Sequence, residues 1–477
     1  MIFQILVLLI NKNNEKKSYL EMEKNASLKA DDCPLRPKYH FIGPTNWMND
    51  PNGPIYYKGE YHLFYQHNPY GVQWGNVHWG HAKSKDLVHW EHLPIALRPS
   101  VDKGETHCFS GSCIVIDNTP TILYTSIGPS KPPATEAEQW IATSSDDMVT
   151  WQKYDNNPVL TQEIHKKLDV RDWRDPFVWK ESNAWYAVLG GHLINPRRPI
   201  VLLYKSSDFY TWEFIGPLCI EDRKKGKNWE CPNFFPINDK YILIVSPHNK
   251  VIYAVGDYIN NYFTPNHWYT LDQGRLFYAT NVMKDPHNRI ILWAWIRATG
   301  VKGWNGCLSL PRILSLGPDN KLRYAPLPEL EKLRKKHYKF RNIVISQNSK
   351  AILKKIRSKH LEISIKFELL DAKSFGIQLF NSKSVIQAES IGFDQSNNVL
   401  WSGKDKVNFI LENISRKLNL HIFIDNSIIE VFANHRECIT GQIISKRNLP
   451  FVINLFATSG KVKVNSLDIW ELNSIWK

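Results

Sequence analysis

Three short phrases along the 477-residue chain bring a carboxyl group together with a proline and aromatic neighbours. They are Trp47-Met48-Asn49-Asp50-Pro51-Asn52-Gly53, Trp173-Arg174-Asp175-Pro176 and Trp229-Glu230-Cys231-Pro232. Carboxyl groups crowded into one aromatic-lined pocket cannot all ionise cheaply, so at least one keeps a raised pKa. One ionised carboxylate facing one carboxylic acid is what glycoside hydrolysis requires. Glu230, wedged between Trp229 and Cys231-Pro232, is the group expected to stay protonated near neutral pH. Read singly, each acid is more simply a turn cap. The chemistry depends on their meeting.

A repeat supplies the means. Ser84-Lys85-Asp86-Leu87-Val88-His89-Trp90, Ser145-Asp146-Asp147-Met148-Val149-Thr150-Trp151 and Ser206-Ser207-Asp208-Phe209-Tyr210-Thr211-Trp212 place Asp86, Asp147 and Asp208 at intervals of 61 residues. Trp90, Trp151 and Trp212 keep the same interval. Between them lie short β-type runs such as Tyr61-His62-Leu63-Phe64-Tyr65 and Trp185-Tyr186-Ala187-Val188-Leu189, separated by Gly, Pro, Asn and Asp. A unit of about 60 residues holding several short strands suits a propeller blade. The Asp would accept backbone N–H groups in a turn, and the Trp would fill space between blades. Steps of 61 from Asp50 land beside Ser110, Arg174-Asp175 and Glu230, so the three acids should converge at one end of the propeller axis.

The expected organisation is all-β: an N-terminal segment 1–35, a five-bladed β-propeller 36–328, a connecting helix 329–342 and a β-sandwich 343–477. The helix rests on Glu329-Leu330-Glu331-Lys332-Leu333-Arg334-Lys335-Lys336. The sandwich rests on alternating runs such as Leu361-Glu362-Ile363-Ser364-Ile365-Lys366-Phe367.

Composition narrows the function further. A chain 43% hydrophobic and 22% charged, with mean hydropathy of −0.37, is neither disordered nor multispanning. Most of the +14 net charge is scattered through the C-terminal third, in patches such as Lys335-Lys336 and Lys354-Lys355, without any nucleic-acid-binding signature. A solvated basic face is the expectation, with no nucleic-acid partner and no membrane insertion. Seven Cys without CxxC spacing support neither a zinc module nor a disulfide scaffold. Met1 to Ile10 is apolar and reads as a short, atypical signal peptide. Together with the N-x-S sequons at Asn25 and Asn413, it suggests a secreted glycoprotein.

The same phrases carry a family resemblance. WMNDPNG at 47–53, FSG at 109–111, RDP at 174–176 and ECP at 230–232 resemble the signature blocks of glycoside hydrolase family 32, the invertases and fructan hydrolases. Asp272 to Ala279, Trp304 to Arg312 and Ile424 to Phe432 continue the match across nearly the whole chain. The resemblance implies a five-bladed propeller plus β-sandwich, and a retaining two-step cleavage of the fructofuranosyl bond of sucrose. Asp50 then corresponds to the nucleophile, Glu230 to the general acid/base and Asp175 to a stabiliser of fructose hydroxyls. Retention implies the two reacting carboxyl groups about 5–5.5 Å apart. Asn49, Gln66, Trp74, Phe109 and Ser110 match sugar-contacting positions. Arg174 is expected to orient a carboxylate or hydroxyl. Tyr278 and Trp304 are further binding candidates, each with blade packing as the simpler account.

No cofactor is expected. His78 and His81 lack a third ligand nearby, so no metal is expected either. Cys231 reads as a neighbour that tunes polarity. Asp425 and Glu430 resemble family positions sometimes used at domain or subunit contacts, with a solvated hairpin end as the simpler account. The alternatives to sucrose hydrolysis are a fructan hydrolase, a fructosyltransferase, or a sugar-binding relative that has lost activity. A phosphorylated sucrose would need a basic cradle, which Arg223-Lys224-Lys225-Gly226-Lys227 could form; a solvated loop is the simpler account.

Overall fold

The structure, a computed structural model, describes residues 30–128, 137–166, 168–300, 302–347, 349, 353, 356–382, 387–411, 416–444 and 449–476. The signal-like segment, both sequons and Lys354-Lys355 lie outside them.

The first two thirds form five antiparallel blades. Their innermost strands are Asn46–Tyr57, His107–Ile116, Val170–Glu181, Glu230–Ile237 and Phe277–Lys284. Each neighbours the next, and the fifth neighbours the first, which closes the ring. The second strands are nearly continuous apolar runs: Leu63-Phe64-Tyr65, Ile122-Leu123-Tyr124, Ala187-Val188-Leu189 and Ile242-Leu243-Ile244-Val245 are all buried. Such runs suit sheets covered on both faces, here by adjacent blades. The ring is fastened by Trp304–Leu308, which lies parallel to the first strand with Asn46 opposite Trp304. Gly306 makes this fit possible: it sits at a φ of 80°, and a Cβ there would lie 2.0 Å from the Met48 carbonyl oxygen.

The repeated phrase is the turn between the third and fourth strands of the first three blades. Asp86 accepts from the backbone N–H of Val88 and His89, and Asp208 from those of Tyr210 and Thr211. In the second blade the acceptor is Asp146, which takes the Thr150 N–H, instead of the expected Asp147. Asp147 pairs with Lys58 across the surface. Trp151 does bridge blades, its ring edge-on to Phe64 at 5.6 Å.

The expected helix at 329–342 is instead a 3₁₀ turn, Pro328–Leu333, followed by the long strand Arg334–Ser346. Leu330 and Leu333 are buried and end the turn, after which the strand pairs with Lys461–Leu472 over most of its length, with a register break between Arg334 and His337. Two six-stranded sheets then pack face to face as a sandwich around Ile363, Ile365, Phe375, Ile377, Ile422 and Ile453.

Asp425 and Glu430 are not a solvated hairpin end. Both are fully buried against the propeller. Asp425 accepts the backbone N–H groups of Lys38, Tyr39 and His40, and Glu430 receives Arg312 Nη2 at 2.5 Å. His40 lies between the two acids, 3.0 Å from Asp425 and 3.1 Å from Glu430.

Candidate active site

Every innermost strand slips register at the same height of the ring. The breaks fall between Met48 and Pro51, Cys108 and Gly111, Arg174 and Phe177, Glu230 and Asn233, and Tyr278 and Thr280. A bulge re-aims side chains and frees a backbone N–H from the ladder, so proline is tolerated there. This accounts for Pro51 and Pro176 directly after Asp50 and Asp175, and for Pro232 two residues after Glu230. Asp175 and Cys231 sit in the left-handed region, at φ of 64° and 46°, a strained backbone of the kind that functional sites retain.

The bulges deliver Asp50, Asp175 and Glu230 to one cavity of about 250 Å³, lined also by Asn49, Gln66, Trp74, Phe109, Arg174, Tyr278 and Trp295. Asp50 accepts Ser110 Oγ at 2.6 Å and Asn49 Nδ2 at 3.0 Å. Gln66 locks both donors, giving Nε2 to Ser110 Oγ at 2.7 Å and accepting Asn49 Nδ2 at Oε1. Asp175 accepts the Cys231 backbone N–H at 2.9 Å. The Cys231 thiol stands between the two aspartates, 3.4 Å from Asp50 and 3.5 Å from Asp175. Glu230 Oε1 receives Arg174 Nη2 and lies 3.1 Å from His248 Nε2, while Oε2 receives the Tyr278 hydroxyl.

Burial pushes the Asp50 carboxyl up against the pull of Ser110 and Asn49. It raises Asp175 further, to about 7, although Arg174 opposes it. Burial would raise Glu230 too, but Arg174, His248 and Tyr278 together hold it below its ordinary value. One carboxyl group is therefore kept neutral into the neutral range, as crowding demands. It is Asp175, not the expected Glu230, because the guanidinium reaches Glu230 directly and stands 3.8 Å from Asp175.

Ser110 does not line the cavity; it acts on it through its bond to Asp50 at 2.6 Å. Trp304 is elsewhere: it is fully buried in the strand that fastens the ring and does not line the cavity. Trp295 takes the place expected of it, with the Trp47 ring edge-on at 5.5 Å. His248 was also missed; it enters from the turn after Lys240–Ser246, and only the fold places it beside Glu230. His78 and His81 have separate partners, the Asn76 carbonyl at 2.6 Å and His62 at 3.0 Å.

Comparison with known proteins agrees with this architecture. The profile described as the glycosyl hydrolases family 32 N-terminal domain matches residues 40–326, and that of the family's C-terminal domain matches 329–471. A levanase of Bacillus subtilis is 34% identical over 501 residues, covering 93% of this chain and 71% of its own. A sucrose-6-phosphate hydrolase of Zymomonas mobilis is 32% identical and covers 95% of each chain. Among solved structures, a β-fructofuranosidase of Bombyx mori superposes with a TM-score of 0.82 at 27% identity, over 97% of this chain and 99% of that one.

Proposed function

This chain belongs to glycosyl hydrolase family 32 and is a hydrolase of fructosides, and from that premise we propose that it is a retaining β-fructofuranosidase acting on sucrose. The observation that carries the reading is the meeting of Asp50, Asp175 and Glu230, from three different blades, in one cavity.

In the proposed reaction Asp50 attacks C2 of the fructofuranosyl ring. Ser110 and Asn49 hold its carboxylate for that attack. Glu230 protonates the departing glucose oxygen, then takes a proton from the water that opens the fructosyl-enzyme. Asp175 and Arg174 bind ring hydroxyls.

Glu230 must be protonated to act first as an acid, yet Arg174 holds it ionised before substrate arrives. Sugar hydroxyls drawing Arg174 toward Asp175 would weaken that pair. Burial, the largest influence on Glu230, then raises its pKa inside the complex.

Incubation with sucrose should release equimolar glucose and fructose, and Asp50→Asn and Glu230→Gln should each reduce kcat by about 10³-fold or more while remaining folded. Full activity in both variants would overturn the assignment. In methanol-containing buffer, the retained methyl β-fructofuranoside is the expected transfer product. A panel of raffinose, inulin and levan separates sucrose hydrolysis from fructan hydrolysis, and fructosylated sugars in the product mixture would mark a transferase. Secretion, proposed from Met1 to Ile10, is checked by N-terminal sequencing of protein recovered from its natural source.

A further inference from the structure

We propose that Arg297 is a positioning residue of the catalytic cavity: its guanidinium sits over the Tyr278 ring and makes the Tyr278 hydroxyl a stronger hydrogen-bond donor to Glu230. The inference rests on the β-fructofuranosidase reading, because that reading makes Glu230 the proton donor to the leaving group.

Strand geometry brings the two side chains together. Arg297 lies on the strand Ile290–Thr299, which pairs antiparallel with Phe277–Lys284. Tyr278 stands opposite Trp295, and Phe277 opposite Ile296. Successive side chains of a strand alternate faces, so Arg297 shares the face of Trp295 and is the diagonal neighbour of Tyr278. The Arg297 N–H donates to the Leu276 carbonyl at 2.9 Å, which carries the pairing one step further. The guanidinium carbon rests 3.7 Å from the centre of the Tyr278 ring and 5.6 Å from that of Trp295. Both rings line the catalytic cavity, and Arg297 does not. Its route to the chemistry is through Tyr278.

The charge on Arg297 is uncompensated. Among the described residues it forms no ion pair, and its Nε is buried without a hydrogen-bond partner. Arg312 and Arg334 also sit over rings, Phe277 at 4.4 Å and Trp470 at 3.8 Å, but carboxylates neutralise both. A guanidinium held against a ring face is attracted by the ring electrons. It stabilises negative charge developing on the phenol oxygen, so the O–H shares its hydrogen more readily.

That hydrogen goes to Glu230 Oε2. The Tyr278 hydroxyl also accepts the His248 backbone N–H at 2.9 Å and lies 3.1 Å from the Ser246 carbonyl, a competing acceptor. The other charged groups facing Glu230 are Arg174 and His248, which favour its ionised form, and Asp50 and Asp175, whose like charge opposes it. The Cys231 thiol stands beside them, kept neutral. In the proposed reaction sugar hydroxyls draw Arg174 from Oε1, whereas Tyr278 keeps its bond to Oε2. Arg297 therefore sets how readily Glu230 gives up its proton while sugar is bound.

The test is the pH profile of kcat and kcat/KM on sucrose, in full-length variants shown by their melting to be folded. Arg297→Met keeps the length of the side chain and removes the charge. Both alkaline limbs should rise by about 0.3–1 unit, and kcat at the optimum should fall about 2–10-fold. Arg297→Gln should shift them in the same direction, and carries the comparison if Arg297→Met does not fold. Arg297→Lys keeps a cation without the planar stack and should fall between these variants and wild type. Tyr278→Phe should raise the limbs by itself, and adding Arg297→Met should move them no further. Limbs that ignore the loss of charge, even with kcat reduced, would mean a structural role only and overturn the inference. The same shift from Arg297→Met in the Tyr278→Phe background would mean that the charge reaches Glu230 directly, which also overturns it. Sucrose cleavage with an alkaline limb that ignores these substitutions leaves the proposed function standing. Wild type that cleaves no sucrose, or cleaves it without an alkaline limb, removes that reading too.

Discussion

Arg174 of the third blade donates Nη2 to Glu230 Oε1 of the fourth, and the same guanidinium lies 3.6 Å from Asp172 and 3.8 Å from Asp175. This cation is the strongest of the groups that hold Glu230 ionised, with His248 and Tyr278 beside it. Arg174→Lys keeps the charge but loses the planar fork that reaches several carboxylates at once. Glu230, relieved of part of that attraction, should titrate higher. The alkaline limb of the kcat/KM profile, which reports the free enzyme, should therefore move to higher pH. The magnitude of kcat/KM should fall by about 10–100-fold. In wild type the alkaline limb of kcat should already lie above that of kcat/KM, because bound sugar draws Arg174 away. Coincident limbs would mean the pair survives in the complex.

Asp175 makes a stability prediction of defined sign. Its carboxyl is raised from 3.8 to about 7 in the folded chain. At pH 3 it is protonated whether folded or not and costs nothing. Above pH 7 it is ionised in both states, and the buried charge destabilises the fold. Stability is therefore lost as pH rises from about 4 through 7, by about 4 kcal/mol at most. Asp175→Asn removes that penalty. The variant should be inactive yet more stable than wild type at pH 8, by on the order of 2 kcal/mol, with the difference vanishing near pH 3.5. Urea unfolding at the two pH values measures it.

How far these features could be read in advance depends on where the partners lie. The turn Asp recurs within a few residues of the N–H groups it receives, so Asp86 and Asp208 were legible. The fourth blade escaped the period because its outer hairpin turns on Asn260-Asn261, both at positive φ, and needs no capping acid. Asp50, Asp175 and Glu230 were legible because each bulge marks itself with a following proline. The ionisation of Glu230 was not, since Arg174, His248 and Tyr278 arrive from separate strands and turns. Asp425 and Glu430 misled for the same reason. A hairpin end is usually wet, and nothing local announces His40, which is 385 and 390 residues away.

Cys231 offers a finer probe of the nucleophile. Burial, together with Asp175, Asp50 and Glu230, raises its thiol well above its ordinary pKa, so it stays a neutral thiol whose single S–H lies within reach of either aspartate. It should resist iodoacetamide at pH 8 in the folded enzyme and react after denaturation. Cys231→Ala deletes a donor that lowers the Asp50 pKa. Asp50 then ionises at higher pH, and the acid limb of the rate profile should shift upward by a fraction of a unit, with activity kept within about tenfold. Cys231→Ser restores a hydroxyl donor and should return the limb to its wild-type position. A limb that ignores both substitutions would place the thiol outside the control of Asp50.

The joint between propeller and sandwich should carry its own pH dependence, separate from catalysis. Burial alone would lower the His40 pKa, but hydrogen bonds and charge from Asp425 and Glu430 overcome it and raise the imidazole to about 9. In the unfolded chain the same group titrates near 6.5. Below about pH 6.5 His40 is charged in both states, and its contacts with the two acids contribute in full. As pH rises toward 9 the folded chain alone holds the proton, so that contribution drains away, by about 3 kcal/mol in all. The melting temperature of wild type should therefore decline from pH 6.5 to 9.5. His40→Gln should melt lower at pH 6, since Asp425 and Glu430 lose a buried partner, at a cost of about 3–5 kcal/mol. The two curves should converge by pH 9.5. Parallel curves across that window would mean that His40 is neutral in the folded joint, and that Asp425 and Glu430 are held by their other partners, among them the backbone N–H groups of residues 38–40, His360 and Arg312.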